Sequence, residues 1–204
     1  MISVDSISVM NIENAICGMR NPMGSWAKSD SYDDFIGPCD LQLAKSLVLA
    51  GTDHSKFMRQ IFVSMDITAP RYWWAEMDQY KVSTATNSES TMHCLHKTPI
   101  TVNLFSYEYI AKDSMELFEE YCEHLEILRQ TFNETKDRDV WKTLIQMLPA
   151  SFNQMRTWTG NYQVLRNVYH ARKNHKLQEW YDFCKVIDKL QYSELITCEK
   201  VNES

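Results

Sequence analysis

From residue 113 onward, apolar side chains recur at helical spacing in one segment after another, and this pattern constrains the fold more than any other. Leu117, Tyr121, Leu125 and Leu128 make one stripe, opened by Asp113 and Glu116 at the spacing of a capping box. Val140, Trp141, Leu144, Ile145 and Leu148 make a second, stopped by Pro149. Residues 161–172 and 177–190 read as two further amphipathic helices, the latter turning Leu177, Trp180, Tyr181, Cys184 and Ile187 inward. The first half of the chain differs. Ile2, Val4, Ile7 and Val9 alternate loosely, and Ile61, Val63 and Ile67 do so in a run from Phe57 to Pro70, which is the period of a half-buried strand. Asp40 is placed to cap a helix carrying Leu43, Ala44, Leu47 and Val48, with Gly51 as its stop signal. A helical stretch from Tyr72 to about Tyr80 leads into a polar loop over residues 83–93. With no internal repeat and no linker, residues 1–204 read as a single α+β domain with a helix-rich C-terminal half.

Composition narrows what such a domain does. With 44% hydrophobic and 24% charged residues, and only 5 Gly and 5 Pro, the chain belongs with globular proteins rather than collagen-like or disordered ones. No apolar run approaches the ~20 residues of a membrane span, and no basic segment precedes an apolar stretch at the N-terminus, so the expectation is a cytoplasmic protein with no membrane partner. A net charge of −6 argues against a nucleic-acid backbone binder. The six cysteines are scattered and read as reduced thiols, not as a disulfide framework.

Ordinary catalytic signatures are missing: there is no nucleophile elbow, phosphate loop, dinucleotide fingerprint or zinc-protease helix. His93-Cys94-x-His96 lacks a second ligand pair, so no metal site is expected. Two features remain. Residues 18–37 form a polar, irregular loop in which Arg20, Asn21 and Ser25 stand near Trp26, read either as a surface excursion with the indole tucked beneath it or as a loop suited to gripping a ligand. On the helix from Asn161, Leu165, Val168 and Arg172 share a face at offsets of 4, 7 and 11, so a guanidinium ends an otherwise core-facing stripe. Such an Arg needs a partner, either a structural carboxylate or a planar ligand such as a pyrimidine or a phosphate.

These residues resemble, over roughly residues 41–194, the flavin-dependent thymidylate synthases, which methylate deoxyuridylate using methylene-tetrahydrofolate with FAD as hydride carrier. Gly51-Thr52-Asp53-His54 and the strand ending at Ala69-Pro70 look like the family's Gly-His stretch and its strand ending in Ala-Pro. Asn87-Ser88-Glu89-Ser90 resembles its Asn-Glu-x-Ser, and Leu148-Pro149 and Trp158-Thr159-Gly160-Asn161 repeat its Leu-Pro and Trp-Thr-x-Asn. The resemblance implies a fold with a central mixed or antiparallel sheet and a homotetramer whose active sites are shared between subunits. It places His54, Asn161 and Asn167 at the flavin, and Ser90, Glu89, Arg172 and Gln178 at a pyrimidine nucleotide, dUMP being the expected one. Ser90 and Arg172 are then expected to be catalytic, with NADPH and methylene-tetrahydrofolate as co-substrates.

The resemblance fails at one place. The family's Arg-His-Arg-x-x-Ser is here Gln79-Tyr80-Lys81-Val82-Ser83-Thr84, with one extra residue before Asn87. Lys81 alone keeps a positive charge, as a catalytic or flavin-binding group, although an ammonium does not reproduce a guanidinium's bidentate contacts. Ser88 replaces the Glu after the Asn, and Ile145 stands where an Arg that helps to hold the phosphate is expected. Arg20 and Lys28 are candidates for the missing charge, and Tyr80, Trp73 and Trp74 for stacking on a ligand ring. Three readings stay open: a divergent thymidylate synthase, an enzyme acting on another pyrimidine nucleotide, and a non-catalytic nucleotide-binding or interaction protein.

Overall fold

A computed structural model describes residues 2–33 and 35–200. Its sheet has four antiparallel strands, β1 (Ser3–Met10), β2 (Phe62–Pro70), β3 (Ala85–Ser88) and β4 (Asn153–Asn161), in the order β1-β2-β4-β3. In β2 the alternation predicted from sequence holds: Val63, Met65, Ile67 and Ala69 are buried and the residues between them are not. The strand starts at Phe62 rather than Phe57, because residues Lys56–Arg59 form a 3-10 turn that buries Phe57 and Met58. In β1 Ser6 takes a left-handed φ of 52°, which interrupts the alternation; Val4 and Val9 are half-buried, whereas Ile7 is exposed. The edge strand β3 is exposed at all four positions, which is why its sequence reads as a polar loop.

The helices are α1 (Ile12–Met19), α2 (Pro38–Ala50), α3 (Arg71–Met77), α4 (Thr91–Cys94), α5 (Met115–Thr135), α6 (Arg138–Met147), α7 (Tyr162–Arg172), α8 (Gln178–Ile187) and α9 (Glu194–Thr197). Contacts divide the chain into two compact units. One comprises Met1–Ser3, Ile67–Gln79 and Asn87–Arg156; the other comprises Val4–Asp66, Tyr80–Thr86 and Thr157–Ser204.

In the first unit α5 and α6 pack around Leu95, Ile100, Phe105, Cys122, Leu125, Leu144, Leu148 and Phe152. The stripe on α6 is as the spacing predicts, and Asp137 caps this helix by accepting from Asp139 N at 2.8 Å. On α5 two expectations fail. Ser114, not Asp113, occupies the N-cap and makes no side-chain cap, because residues Lys112–Ser114 enter as a 3-10 turn. Leu117 is 68% exposed, so the buried stripe narrows to Cys122 and Leu125 with Tyr121 and Leu128 at its margins.

In the second unit α7 packs against α8 and α9. It buries Leu165 and Val168 as predicted, and α8 buries Trp180, Phe183, Cys184 and Ile187. Tyr181 instead lies on the outer face of α8, 47% exposed, where the Lys185 ammonium sits 4.2 Å from its ring centre. Burial pushes the Cys184 thiol up to about 11, the behaviour of a core thiol and not of a nucleophile.

One carboxylate in the first unit ties several segments together. Glu126 accepts from Arg129 Nε and Nη2 (2.7 and 2.6 Å), from the Ile100 backbone N–H (2.7 Å) and from Gln130 (2.8 Å). The Arg129 guanidinium beside it, opposed by burial and helped by the Ile100 amide, lowers the Glu126 carboxyl to about 2. Its folded pKa therefore lies below the unfolded value, and the stabilisation is full above the ordinary carboxylate range and lost as pH falls towards 2. Glu126→Gln is expected to lower stability at pH 7 by on the order of 2 kcal/mol and to have little effect on stability near pH 2, as read from urea unfolding midpoints across that range.

Candidate functional site

The stripe on α7 ends, as the sequence indicates, in a half-buried Arg172, and the structure supplies its partners within the second unit. The guanidinium carbon lies 4.9 Å from the ring centre of Trp180 and 5.8 Å from that of Tyr80, and Nε donates to the Tyr80 hydroxyl at 3.1 Å. Trp180 is fully buried and meets Tyr80 edge to face with ring centres 6.5 Å apart. The C-terminal end of α7 favours a cation there, and two aromatic rings hold its plane. His175 N–H donates to the Arg172 carbonyl, and Leu177 N–H donates to His175 Nδ1, which closes the turn into α8. Gln178 opens α8 and donates to Asp182 at 3.0 Å.

Tyr80 itself is held by a compact turn. Thr84 Oγ1 donates to its carbonyl at 2.9 Å, and Ser83 takes a left-handed φ of 62°. Lys81, the residue after Tyr80, is exposed. Trp180 was legible only as an apolar position of α8. Its place beside an Arg is fixed by the turn between α7 and α8, which spacing along either helix does not report.

A second group lies around His54. Ser55, the next residue, donates to the Gly51 carbonyl at 3.1 Å and to Gln163 Oε1 at 3.4 Å, and Gln163 in turn donates to Asn167 at 3.1 Å. Asn167 is exposed. Asn161 is 2% exposed and caps α7, its side-chain oxygen accepting from Val164 N at 3.0 Å. The sequence reading missed Ser55 and Gln163, although Gln163 and Asn167 stand at i, i+4 on one helix, a spacing that pairs amide side chains. His54 is exposed on the wall of a cavity of about 630 Å3, where Met19, Leu43, Leu47 and Phe57 supply apolar surface and Asn21 and Lys56 supply polar groups. A flat, largely apolar ring with a polar rim suits such a cavity.

The loop over residues 18–37 contributes to this cavity through Asn21, Met23 and Ser25, but not through its arginine. Arg20 is 5% exposed and forms a buried ion pair with Asp40, its Nε donating to Oδ1 at 2.6 Å, so it does not supply charge to a ligand. Asp40 is not the cap of α2. It is fully buried in the first turn, where Ser29 and Ser31 each donate to it at 2.6 Å. Burial alone would raise its carboxyl, but the hydrogen bonds from Ser29, Ser31 and Arg20 outweigh it and hold the group below the ordinary carboxylate range. The cap comes instead from Asp30, which accepts from the Cys39 and Asp40 amides at 2.8 and 3.0 Å. Gly37 lies so close to Asp30 that a Cβ there would collide with it. Trp26 is not tucked beneath the loop; it is 55% exposed and donates to Asn21 at 2.8 Å. Lys28 is exposed.

In the first unit Ser90 is half-buried at the start of α4, with its carbonyl accepting from His93 and Cys94, and Glu89 is exposed, with its amide bonded to the Met155 carbonyl in β4. Glu89 also lines a small cavity of about 190 Å3 with Cys94, Leu104, Phe152 and Gln154. Trp73 and Trp74 are fully buried, so neither stacks on a ligand; Trp74 donates to the Gln154 carbonyl, and the Arg156 guanidinium lies 4.3 Å from its ring centre. Ile145 packs against the core beside α5, so the position expected to carry a phosphate-holding Arg is apolar packing here. His96 lies edge-on to Phe132 and Trp141, away from any ligand cluster; among the described residues no three His, Cys, Asp or Glu side chains gather as a metal site would require. All six cysteines are unbridged.

The sequence matches no protein-family model and no curated protein. Its structure does match solved ones. The flavin-dependent thymidylate synthase ThyX from Helicobacter pylori, complexed with FAD and dUMP, superposes with a TM-score of 0.70 at 18% identity, covering 95% of this chain and 96% of that one. A second structure of the Helicobacter pylori protein with FAD and dUMP gives 0.71 at 18% identity, with 96% of each chain covered. The chain has the fold of the flavin-dependent thymidylate synthases. The UMP/dUMP methylase PolB from Streptomyces cacaoi, bound with 5-Br dUMP, is also similar, with a TM-score of 0.63 at 14% identity over 92% of this chain and 88% of that one. Within the thymidylate synthase fold, this chain departs from the signature at Tyr80, and its hydroxyl is the group on Arg172 Nε.

The position of α7, and with it Arg172, depends on the cap at its other end. Asn161→Ala is expected to lower stability by about 1 to 2 kcal/mol, and Asn161→Asp to retain most of it, as measured by chemical unfolding.

Proposed function

We propose that this chain is a flavin-dependent nucleotide methyltransferase that converts dUMP to dTMP, with methylene-tetrahydrofolate as one-carbon donor and NADPH as reductant. The observation that carries the reading is the Arg172 guanidinium held between Tyr80 and Trp180 at the end of α7, in a fold whose solved relatives are bound to FAD and dUMP. A guanidinium fixed in this way is suited to the carbonyl edge of a pyrimidine, where it stabilises negative charge as the ring is activated for attack on the one-carbon unit. Gln178, one turn of chain further on, is proposed to contact the same nucleotide. Ser90 is assigned to the nucleotide through its hydroxyl and neighbouring backbone, with Glu89 beside it. Lys81, exposed next to Tyr80, is proposed to supply the positive charge that the lost arginines leave absent.

The residues present fit a flavin in part. His54 on its cavity, the exposed Asn167, and Asn161, whose side-chain oxygen also caps α7, are the groups proposed to hold it. FAD, when bound and reduced, supplies the hydride that completes the methyl group. Catalysis of this kind rests on orientation and electrostatics, so the loss of signature charges lowers the rate without requiring loss of binding. We propose a homotetramer, as the resemblance implies. A second reading, action on another pyrimidine nucleotide such as UMP, is favoured by the likeness to a UMP/dUMP methylase and by Ile145, which removes one expected phosphate-holding charge.

The test has two arms. FAD added to the protein should give a saturable change in flavin fluorescence at micromolar protein, and calorimetry should show dUMP binding that Arg172→Ala weakens by about 2 to 4 kcal/mol, the worth of a charge-assisted fork. Tighter binding of UMP than dUMP would establish the second reading. Failure to bind either FAD or a pyrimidine nucleotide would refute both.

A further inference from the structure

We propose that Tyr80 is the positioning residue of the nucleotide site, setting the orientation of Arg172 through its hydroxyl and its ring; this role rests on the reading of Arg172 as the pyrimidine contact. An arginine side chain has four rotatable bonds whose freedom is lost on binding, so a guanidinium that reads a planar ligand is effective only where its own plane is already fixed. Trp180 fixes one direction. It is fully buried, lies 4.9 Å from the guanidinium carbon and restricts the tilt of the group over its ring.

The bond from Nε to the Tyr80 hydroxyl, at 3.1 Å, adds an in-plane restraint that a ring contact does not supply, because Nε–H lies in the guanidinium plane and points in one direction only. Tyr80 is itself restrained on three sides. Its carbonyl accepts from Thr84, its ring meets Trp180 edge to face, and the left-handed Ser83 closes the turn that follows it. This residue stands where the resembled signature has a histidine, and an imidazole is shorter than a phenol and lacks its terminal hydroxyl. A tyrosine at this position puts a hydroxyl at the Nε of Arg172.

The experiment measures dUMP affinity by calorimetry for the wild type, Tyr80→Phe, Arg172→Lys and the double variant, alongside the NMR signal of the Arg172 Nε–H, identified by its disappearance in Arg172→Lys. A lysine has no donor at the Nε position, so it removes the Tyr80 contact while keeping a charge. Tyr80→Phe, which keeps the ring, is expected to weaken dUMP about 5- to 10-fold, the net worth of one ordinary hydrogen bond, and to move the Nε–H signal toward that of solvent-exposed arginines. Arg172→Lys should weaken binding further, and adding Tyr80→Phe to it should cost nothing more, because the contact is already gone. A merely structural tyrosine would not couple to Arg172 in this way. Unchanged affinity and an unmoved Nε–H signal in Tyr80→Phe would overturn the role while leaving the nucleotide site standing, as would losses that multiply independently in the double variant. Absence of dUMP binding by the wild type, with Arg172→Ala no different, would refute the site and the role together.

Discussion

A guanidinium at the end of a buried helical stripe is a constraint that the surrounding structure has to answer. Along α7 the chain buries Leu165 and Val168, and the next residue on that face is Arg172. A charge at such a position is costly unless something replaces its water. Among the groups that meet it are the buried indole of Trp180 on one element, the phenol of Tyr80 on another, and the carbonyl end of the helix that carries the arginine. Asn161 at the opposite end of α7 and the His175 turn after Arg172 keep the helix where those partners can reach it.

The second constraint is the burial of an ion pair beneath the loop over residues 18–37. Arg20 and Asp40 are both almost fully enclosed, and removing either would leave the other without its counter-charge, a change that typically costs several kcal/mol. Ser29, Ser31 and the Asp30 cap converge on the same turn, so five side chains from one loop and one helix hold a segment that would otherwise be free to wander. The cavity beside His54 depends on that rigidity, because Asn21, Met23 and Ser25 on its wall belong to the same loop.

Much of this was legible in the sequence where a regular period reports burial. The alternation in β2 and the stripes on α6, α7 and α8 follow from one side chain facing inward every two, or every three to four, residues. Misreadings arose where local chemistry has two solutions. An acidic residue next to a helix start can cap it or be buried within it; Asp40 is buried, and Asp30, ten residues earlier, caps. Apolar residues at the edge of a stripe, Leu117 and Tyr181, are exposed because the facing surface is narrower than the pattern allows. The resemblance proposes Arg172, His54 and Ser90 as site residues, whereas the group that meets Arg172 Nε came only from three-dimensional proximity. Tyr80 and Arg172 are 92 residues apart, and no periodicity links them.

The loss of the Arg-His-Arg signature makes activity, rather than fold, the point at which the account is exposed. The most direct measurement is release of tritium from dUMP labelled at carbon 5, using protein loaded with FAD and supplied with NADPH and methylene-tetrahydrofolate, with Arg172→Ala as the control. Methyl transfer to carbon 5 must displace the hydrogen there, so the account predicts time-dependent release by the wild type and release at background in Arg172→Ala. Protein that binds FAD and dUMP yet releases no tritium would contradict it.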